Sequence, residues 1–410
     1  MKSDSDSDSG SALQVRWVGS IDDDSPTLGL PQLENVTKTT LYGPAEGDDS
    51  YSHHGYITYH AEILYASWSN HARDEDAPGQ RVRFSLCGGG FDDWEPPAEL
   101  FPPRDHVKTR EEQDRLRDRV LIPNGFAVVD DTLYAVAEAH MLGERKEMSP
   151  PSDIPDAEDM PTRVVSTRPG LGRLARSVGP EGELGPIFWL VDSPPDPVKG
   201  FPAYPDAADP QYSEVADAIN AYLARPEHWP SWEFLNHTTR PWAADGHRLC
   251  EPTQAWRLKD GTYVRLWRDL TTGSGCQYAQ FSSDDGQSWE RARRAEFPDT
   301  YSRAAAGNLP DGSAYVINNP GSGREPLVIS LAADGLNFDR HAVIACEAPP
   351  MRFEGVAKGP GFQYPRATVA EDALVVIYSV NKEDMEVAAI PLGSEARLDV
   401  LDMMSTEMAM

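Results

Sequence analysis

Hydrophobic and polar positions alternate with a period of two over five stretches of this chain, each broken once by a short turn rich in Asp, Glu or Gly. They read YITYHAEILYASWS from Tyr56, FAVVDDTLYAVAEA from Phe126 and TQAWRLKDGTYVRLW from Thr253, then AAAGNLPDGSAYVIN from Ala304 and YPRATVAEDALVVIYS from Tyr364. Alternation of this kind marks half-buried strands, and two such runs joined by a tight turn make a hairpin. A further short strand follows four of them: RVRFSL at Arg81, QYAQFS at Gln277, PLVISL at Pro326 and MEVAAIPL at Met385. The turns fall near residues 61, 130, 260, 311 and 372, so one interval is about double the others. That gap places a sixth copy around IFWLV at Ile187, masked by insertions. Units of roughly 50–65 residues with three or four strands each are the signature of propeller blades. The expected fold is all-β, a six-bladed β-propeller, or seven-bladed if the LQVRWV strand at Leu13 forms a blade of its own.

Two insertions carry helical signals. TREEQDRLRDRV opens with Thr109 and Glu112 at capping-box spacing. DPQYSEVADAINAYLARPE starts with Asp209 before Pro210 and puts Val215, Ile219, Tyr222 and Leu223 on one face. Proline-rich stretches at 96–103, 150–161 and 194–205 read as loops over the propeller faces. Residues 1–11 form an alternating Ser/Asp tail expected to be disordered, 12–394 a single propeller domain, and 395–410 a C-terminal tail.

Composition narrows the function. With 66 acidic against 37 basic residues the formal net charge is −29, which leaves nothing to neutralise a phosphate track and excludes a general nucleic-acid binder. No apolar run approaches the roughly 18 residues a membrane helix needs. Among the basic residues only eight are lysines. Acid-rich, lysine-poor surfaces suit a cytosol of high salt, where screening removes self-repulsion; a GC-rich genome favouring arginine codons produces the same bias. The N-terminus shows no secretory leader, and Cys87, Cys250, Cys276 and Cys346 are widely spaced without a C-x-x-C. A reducing, cytoplasmic setting is expected. The acidic runs at 21–24 and 73–76 read as solvated surface; they offer oxygen ligands for a structural Ca²⁺, but no cofactor or metal is indicated.

One motif is more specific. Ser282-Ser283-Asp284-Asp285-Gly286-Gln287-Ser288-Trp289 fits S-x-D-x-G-x-x-W. Ser and Asp side chains bond turn amides, Gly takes a positive φ, and Trp packs back between blades. The segment resembles the Asp box of sialidase-type β-propellers, with weaker echoes at residues 333–338 and 90–94. Ser282, Asp284, Gly286 and Trp289 are therefore expected to be structural. The resemblance covers roughly residues 50–390 at the level of repeats. It extends to Glu251-Pro252-Thr253, through Lys259-Asp260-Gly261, to Arg268, and to Gly361-Phe362-Gln363-Tyr364-Pro365. In that family the Glu activates a tyrosine nucleophile and the Arg belongs to a triad gripping the substrate carboxylate. The resemblance thus implies site roles for Glu251, Arg268 and Tyr364.

There is a departure. Sialidases carry Arg-Ile-Pro at the start of the first blade, where this chain reads Tyr51-Ser52-His53-His54-Gly55. His53 and His54 precede the first strand of that blade, Asn70 and His71 follow its hairpin partner, and His140 occupies the matching exit of the second blade. This pattern is similar to that of propeller enzymes acting on uronic-acid glycans: the rhamnose–glucuronate lyases, α-L-rhamnosidase-type propellers and ulvan lyases. β-Elimination beside a uronate needs a base, a carboxylate-neutralising cation and an acid for the leaving oxygen. The resemblance assigns His53 or His54 as base, Arg268 or Arg303 as neutraliser, and Tyr364 or His71 as acid. Asn308 and Gln363 serve as sugar-binding amides, with Asn70, His140 and Arg324 completing the substrate-binding set. The leading expectation is cleavage beside an acidic sugar by elimination. The alternatives are an exo-glycoside hydrolase using Glu251 and Tyr364, or a carbohydrate-binding propeller without catalysis. In each case the partner is an oligosaccharide or polysaccharide. An anionic substrate further requires an arginine-bearing mouth within the acidic shell, drawn from Arg240, Arg248, Arg268, Arg303, Arg324 and Arg366.

Overall fold

The computed structural model describes residues 13–393 apart from 77–78, 103–118, 142–144, 149–162, 167–169, 192–203, 231–241, 272–273, 322 and 356. Five antiparallel sheets are built on the five predicted hairpins. The first runs Tyr51–His60, Ile63–His71, Arg81–Cys87 and Ala98–Phe101 from inside out. The second runs Arg119–Val129, Thr132–Met141, Gly170–Ser177 and Phe188–Trp189. The third is centred on Tyr263–Asp269, flanked by Leu249–Pro252 and Trp256–Arg257 within and by Cys276–Ser282 and Arg293–Pro298 without. The fourth comprises Ala305–Asn308, Ala314–Asn318, Leu327–Ala332 and Arg340–Ala345. In the fifth, Phe362–Ala370, Ala373–Val380 and Asp384–Pro391 are joined by Thr37–Tyr42 from the far end of the chain.

Apolar clusters lie between neighbouring sheets, where inward and outward faces of successive hairpins meet. Tyr65, Phe84, Ile122 and Leu133 join the first and second sheets. Trp256, Leu266, Val316 and Phe338 join the third and fourth, while Ile329, Ile344, Val376 and Tyr378 join the fourth and fifth. Leu64, Trp68, Val375 and Val387 join the fifth back to the first. Between the second and third sheets stands the helix Ser213–Leu223. It buries Ala216, Ile219 and Leu223 on the second sheet beside Val136 and Phe188. The chain just after it bonds the third sheet, with Ala255 N–H donating to Pro226 O at 2.9 Å and Tyr263 to Glu227 at 3.1 Å.

Three expectations change. IFWLV does not start a hairpin: Phe188–Trp189 is the outermost strand of the second sheet. Among the described residues no further four-stranded sheet follows it, and the helix stands there; a two-stranded sheet of Arg145–Met148 and Arg163–Ser166 lies earlier in the chain. LQVRWV forms no blade either; Arg16–Trp17 pairs in parallel with Arg293–Pro298 and with Asn337–Phe338, bridging two sheets. The proposed helix at 109–120 lies mostly outside the described residues, and Arg119 and Val120 are strand. The N- and C-terminal tails, the loops at 150–161 and most of 194–205, and Arg240 also lie outside them.

The Asp box has the geometry its sequence implies. The Asp284 carboxylate accepts from Ser282 Oγ at 2.7 Å, and from the Ser288 N–H and hydroxyl at 2.9 and 2.5 Å. These bonds hold its pKa down at about 2. Gly286, at φ +80°, donates its N–H to Ser282 Oγ and accepts from the Trp289 indole at 3.1 Å. Trp289 is half-buried and stacks on the Arg265 guanidinium at 3.8 Å. The degraded copies keep fragments of the pattern: Asp334 accepts from the Leu336 and Asn337 amides, and Trp94 donates to Phe91 O. A Cβ on Gly286 would stand 2.3 Å from Pro226 Cγ. Gly286→Ala should therefore lose on the order of 1–3 kcal/mol, read as a lower urea midpoint at unchanged slope.

Candidate functional site

The site is made by an irregularity shared by the inner strands. Each of four sheets carries a register shift in its innermost strand, between His53 and Tyr56, Pro123 and Phe126, Cys250 and Pro252, and Gln363 and Arg366. The extra residue takes a positive φ: His54 at 57°, Gly125 at 97°, Glu251 at 50° and Tyr364 at 55°. A bulge of this type bends the strand and re-aims a side chain. Left-handed backbone is unfavourable for bulky residues, so three occupied bulges cost about 1–3 kcal/mol each. What they achieve is the convergence of His54, Glu251 and Tyr364, three residues from three different sheets.

Tyr364 is at the centre. Its hydroxyl accepts from Arg268 Nη1 at 2.7 Å and donates to Glu251 Oε1 at 3.2 Å, while Arg268 Nη1 also meets Glu251 Oε2 at 2.6 Å. Three guanidinium carbons surround the Tyr364 ring: Arg303 at 5.1 Å, Arg324 at 5.5 Å and Arg268 at 6.0 Å from its centroid. Arg268 also lies 4.3 Å over Tyr301. Burial pushes the Tyr364 phenol above its ordinary value, against the pull of Arg268. Burial works against the charge on Arg268, but Glu251 and Tyr364 more than offset it and hold the guanidinium ionised. For Arg303, burial and then the neighbouring Arg366 bring the pKa down to about 10, against the pull of Tyr56 and Glu251.

The histidine pair forms the adjoining wall. The ring centroid of His53 is 4.2 Å from that of Tyr364 and 4.4 Å from that of His54. His53 Nδ1 meets Ser379 Oγ at 2.6 Å, and His54 Nδ1 meets Ser69 Oγ at 3.0 Å. His54 Nε2 lies 2.9 Å from Glu75 Oε1, whose other oxygen pairs with Lys382 Nζ. Burial lowers the pKa of both histidines; the neighbouring His54 and Lys382 add to the effect on His53, while Glu75 partly opposes it on His54. Burial also works against ionisation of Glu75, yet Lys382 and His54 outweigh it and keep that carboxylate charged.

The structure thus brings together His53, His54, Glu251, Arg268, Arg303, Arg324 and Tyr364. Gln363 sits at the edge, accepting from Arg324 and donating to Gly359 O at 2.5 Å. Other residues expected in the site have other occupations. Asn70 donates to Tyr51 O at 3.0 Å and accepts from Arg81 at 3.1 Å. His71 Nδ1 accepts the Arg73 and Asp74 amides in the turn that follows its strand. Asn308 stands at the end of its strand remote from Arg303, pinning Arg257 N–H at 2.7 Å, and lines a separate cavity of about 430 Å³ with Tyr56, Gln254 and Tyr315. His140 is strand, opposite Val120, and its side chain is outside the described residues.

Several members were missed. Glu75 belongs to an acidic run that sequence alone assigns to solvated surface, yet its side chain is only 15% exposed. Lys382 lies in a turn but reaches inward; its scarcity as one of eight lysines was the available signal. Tyr56 was also missed; it and Arg366, one of the expected mouth arginines, back Arg303, with Arg366 4.7 Å and Arg303 5.5 Å over the Tyr56 ring. Of the mouth arginines, Arg303, Arg324 and Arg268 line Tyr364, whereas Arg248 is buried beside Thr271.

With the geometry described, the relatives can be placed. Residues 210–377 match the BNR repeat-like domain. A sialidase superposes with a TM-score of 0.70 at 22% identity, covering 92% of this chain and 35% of its own, so this chain spans about a third of that protein's length. The NanB sialidase of Streptococcus pneumoniae follows at 0.52 and 11% identity, covering 88% of this chain and 70% of its own. The intramolecular trans-sialidase of Ruminococcus gnavus gives 0.50 and 12%, covering 88% and 97%. No curated protein matches the sequence. The fold is sialidase-like, and residues 210–377 are similar to the BNR repeat-like domain. No described helix is long and apolar enough to cross a membrane.

A pH dependence follows from the buried histidine. In the unfolded chain His53 takes a proton as pH falls through about 6.5, whereas the folded state resists it. The unfolded state then binds more protons, so this contribution to stability is complete above that pH and declines below it. Urea midpoints measured from pH 7.5 to 5 should fall less steeply for His53→Gln than for the unaltered protein. Equal slopes would mean that folded His53 protonates freely.

Proposed function

We propose that this protein cleaves the glycosidic bond of an acidic sugar, with Tyr364 and Glu251 as the reacting pair. The observation that carries this reading is the hydrogen-bonded set Tyr364–Glu251–Arg268 inside a ring of three guanidiniums. A phenol raised by burial is a poor nucleophile until a base removes its proton, and the Glu251 oxygen at 3.2 Å is placed to do so. As the phenolate oxygen bonds the anomeric carbon, Glu251 holds the proton, the bond from that carbon to the leaving oxygen breaks and the leaving oxygen takes a proton from water. A second water then adds to the anomeric carbon, Glu251 returns its proton to the Tyr364 oxygen, and the sugar is released. The arginines account for the acidic group: Arg268, Arg303 and Arg324 bring three positive charges to the Tyr364 ring, and Arg324 is the half-exposed member an incoming anion meets first. The names of the sialidases and trans-sialidases with this fold support a sialic-type ligand.

Elimination is the second reading, and it rests on His53. Its Nε2 is buried beside Tyr364 without a hydrogen-bond partner, and its depressed pKa keeps it in the basic form. In that reaction His53 takes the proton next to the uronate carboxyl, and Tyr364 protonates the leaving oxygen. The products separate the two. Elimination yields an unsaturated uronate with near-ultraviolet absorbance, and hydrolysis yields reducing sugar without it.

Acidic glycosides offered to the purified protein should release reducing sugar with no absorbance gain. Tyr364→Phe and Glu251→Gln should each lower kcat by about 10²–10⁴-fold. Full activity in both variants would remove the pair from the mechanism, and absorbance lost on His53→Gln would transfer it to the elimination route.

A further inference from the structure

The His53, His54 and Glu75 cluster has a feature that neither reading of the reaction uses. Their ligand-type atoms all lie within 4.8 Å of one another, at the meeting of the first and fifth sheets. Both rings are anchored through Nδ1 on serine hydroxyls. Ser379 Oγ directs its own hydrogen toward Gln363 O at 3.4 Å, so it receives the Nδ1 hydrogen of His53. That fixes the tautomer and leaves the lone pair on His53 Nε2, an atom wholly buried and without a partner. A histidine fixed by an outer hydrogen bond on one nitrogen, with the other bare and facing a second imidazole and a carboxylate, is the arrangement seen around protein-bound metals. Glu75 divides its oxygens suitably, Oε2 toward Lys382 and Oε1 toward His54.

We propose that His53 Nε2, His54 Nε2 and Glu75 Oε1 form a binding site for a divalent transition-metal ion of the zinc type. Two imidazoles and one carboxylate favour Zn²⁺ or Co²⁺ over Ca²⁺ or Mg²⁺, which take oxygen ligands. Ligands on a tetrahedral zinc stand roughly 3.3 Å apart. The cluster must therefore contract at its wide edge, and the 2.9 Å contact between His54 and Glu75 must open slightly. Glu75, 15% exposed, provides the way in. Neutral His54 has one ring hydrogen, held on Nε2 toward Glu75; binding moves it to Nδ1, where it faces Ser69 Oγ, and leaves the Nε2 lone pair to the ion. The neutral pair releases no net proton, and affinity falls only where acid protonates the imidazoles. The ion would bring positive charge within reach of Tyr364, at the place where the chain has histidines instead of the sialidase arginine. The site stands on its own geometry, whichever reaction Tyr364 serves.

The test is Co²⁺ titration of the full chain after removal of metals by a chelator. One equivalent should bind with the visible bands of a four-coordinate site, and Zn²⁺ should displace it and raise Tm. His53→Gln and Glu75→Gln should each weaken binding by at least about tenfold, and Ser379→Ala by about 10- to 100-fold through the freed ring. His341→Ala, remote from the cluster, should leave binding unchanged. Circular dichroism on each metal-free variant separates loss of a ligand from loss of fold. If no ion binds at 100-fold excess, or if folded His53→Gln and Glu75→Gln variants bind as well as the parent, the site does not exist. Retained Co²⁺ bands in those variants would place the ion elsewhere, and the proposal fails. Loss of binding with unchanged turnover would leave the Tyr364 reading intact, and turnover lost only in Tyr364→Phe would leave the metal site intact.

Discussion

The left-handed bulge in the inner strands is the constraint on which the rest of the site depends. A regular strand alternates its side chains between the faces of its sheet, and so buries them in the layers between sheets. Inserting one residue at positive φ breaks that alternation and gives the strand one side chain of a different aim. In the second sheet the inserted residue is Gly125, which pays no steric penalty. In the first, third and fifth it is His54, Glu251 and Tyr364, and these meet. The strain is held by the apolar layers on either side, which fix the strands above and below each bulge.

How much of this was legible from the residues follows the same division. The hairpins were legible because period-two alternation and a turn are local, and all five appear where the pattern puts them. The Asp box was legible because its bonds lie within eight residues. Phe188–Trp189 was misassigned because a short apolar run looks alike as a hairpin start or an outer strand, and only the partner Gly170–Ser177 decides. Asn308 was misassigned because a four-residue strand separates its entrance from its exit by the height of the sheet. Glu75 could not be told from its acidic neighbours, since its burial depends on His54 and on Lys382, which is 307 residues away. The bulges themselves have no signature in the sequence beyond Gly125, because bulky residues occupy the other three.

Charge is distributed to match. The chain carries −29 overall, yet Arg268, Arg303, Arg324 and Arg366 gather about Tyr364 and Tyr56. Buried guanidiniums close together repel one another at low dielectric, and Arg366 adds in this way to the burial that depresses Arg303. Stacking on tyrosine rings and the Glu251 carboxylate relieve part of that repulsion. An anion entering the ring would relieve more, and its attraction would be local, the distant field of the acidic surface being screened within about 10 Å at ordinary salt.

The fifth sheet takes its outer strand, Thr37–Tyr42, from the opposite end of the chain. The junction of the first and fifth sheets therefore joins segments more than 300 residues apart in the sequence. His53 waits for Ser379, 326 residues downstream, and for the ring of Tyr364. Long-range pairing of this kind is slow, because the loop must close before any contact rewards it. The other sheets can therefore stack while His53 is still apart from Ser379 and Tyr364, and this cluster is completed only when the first and fifth sheets meet.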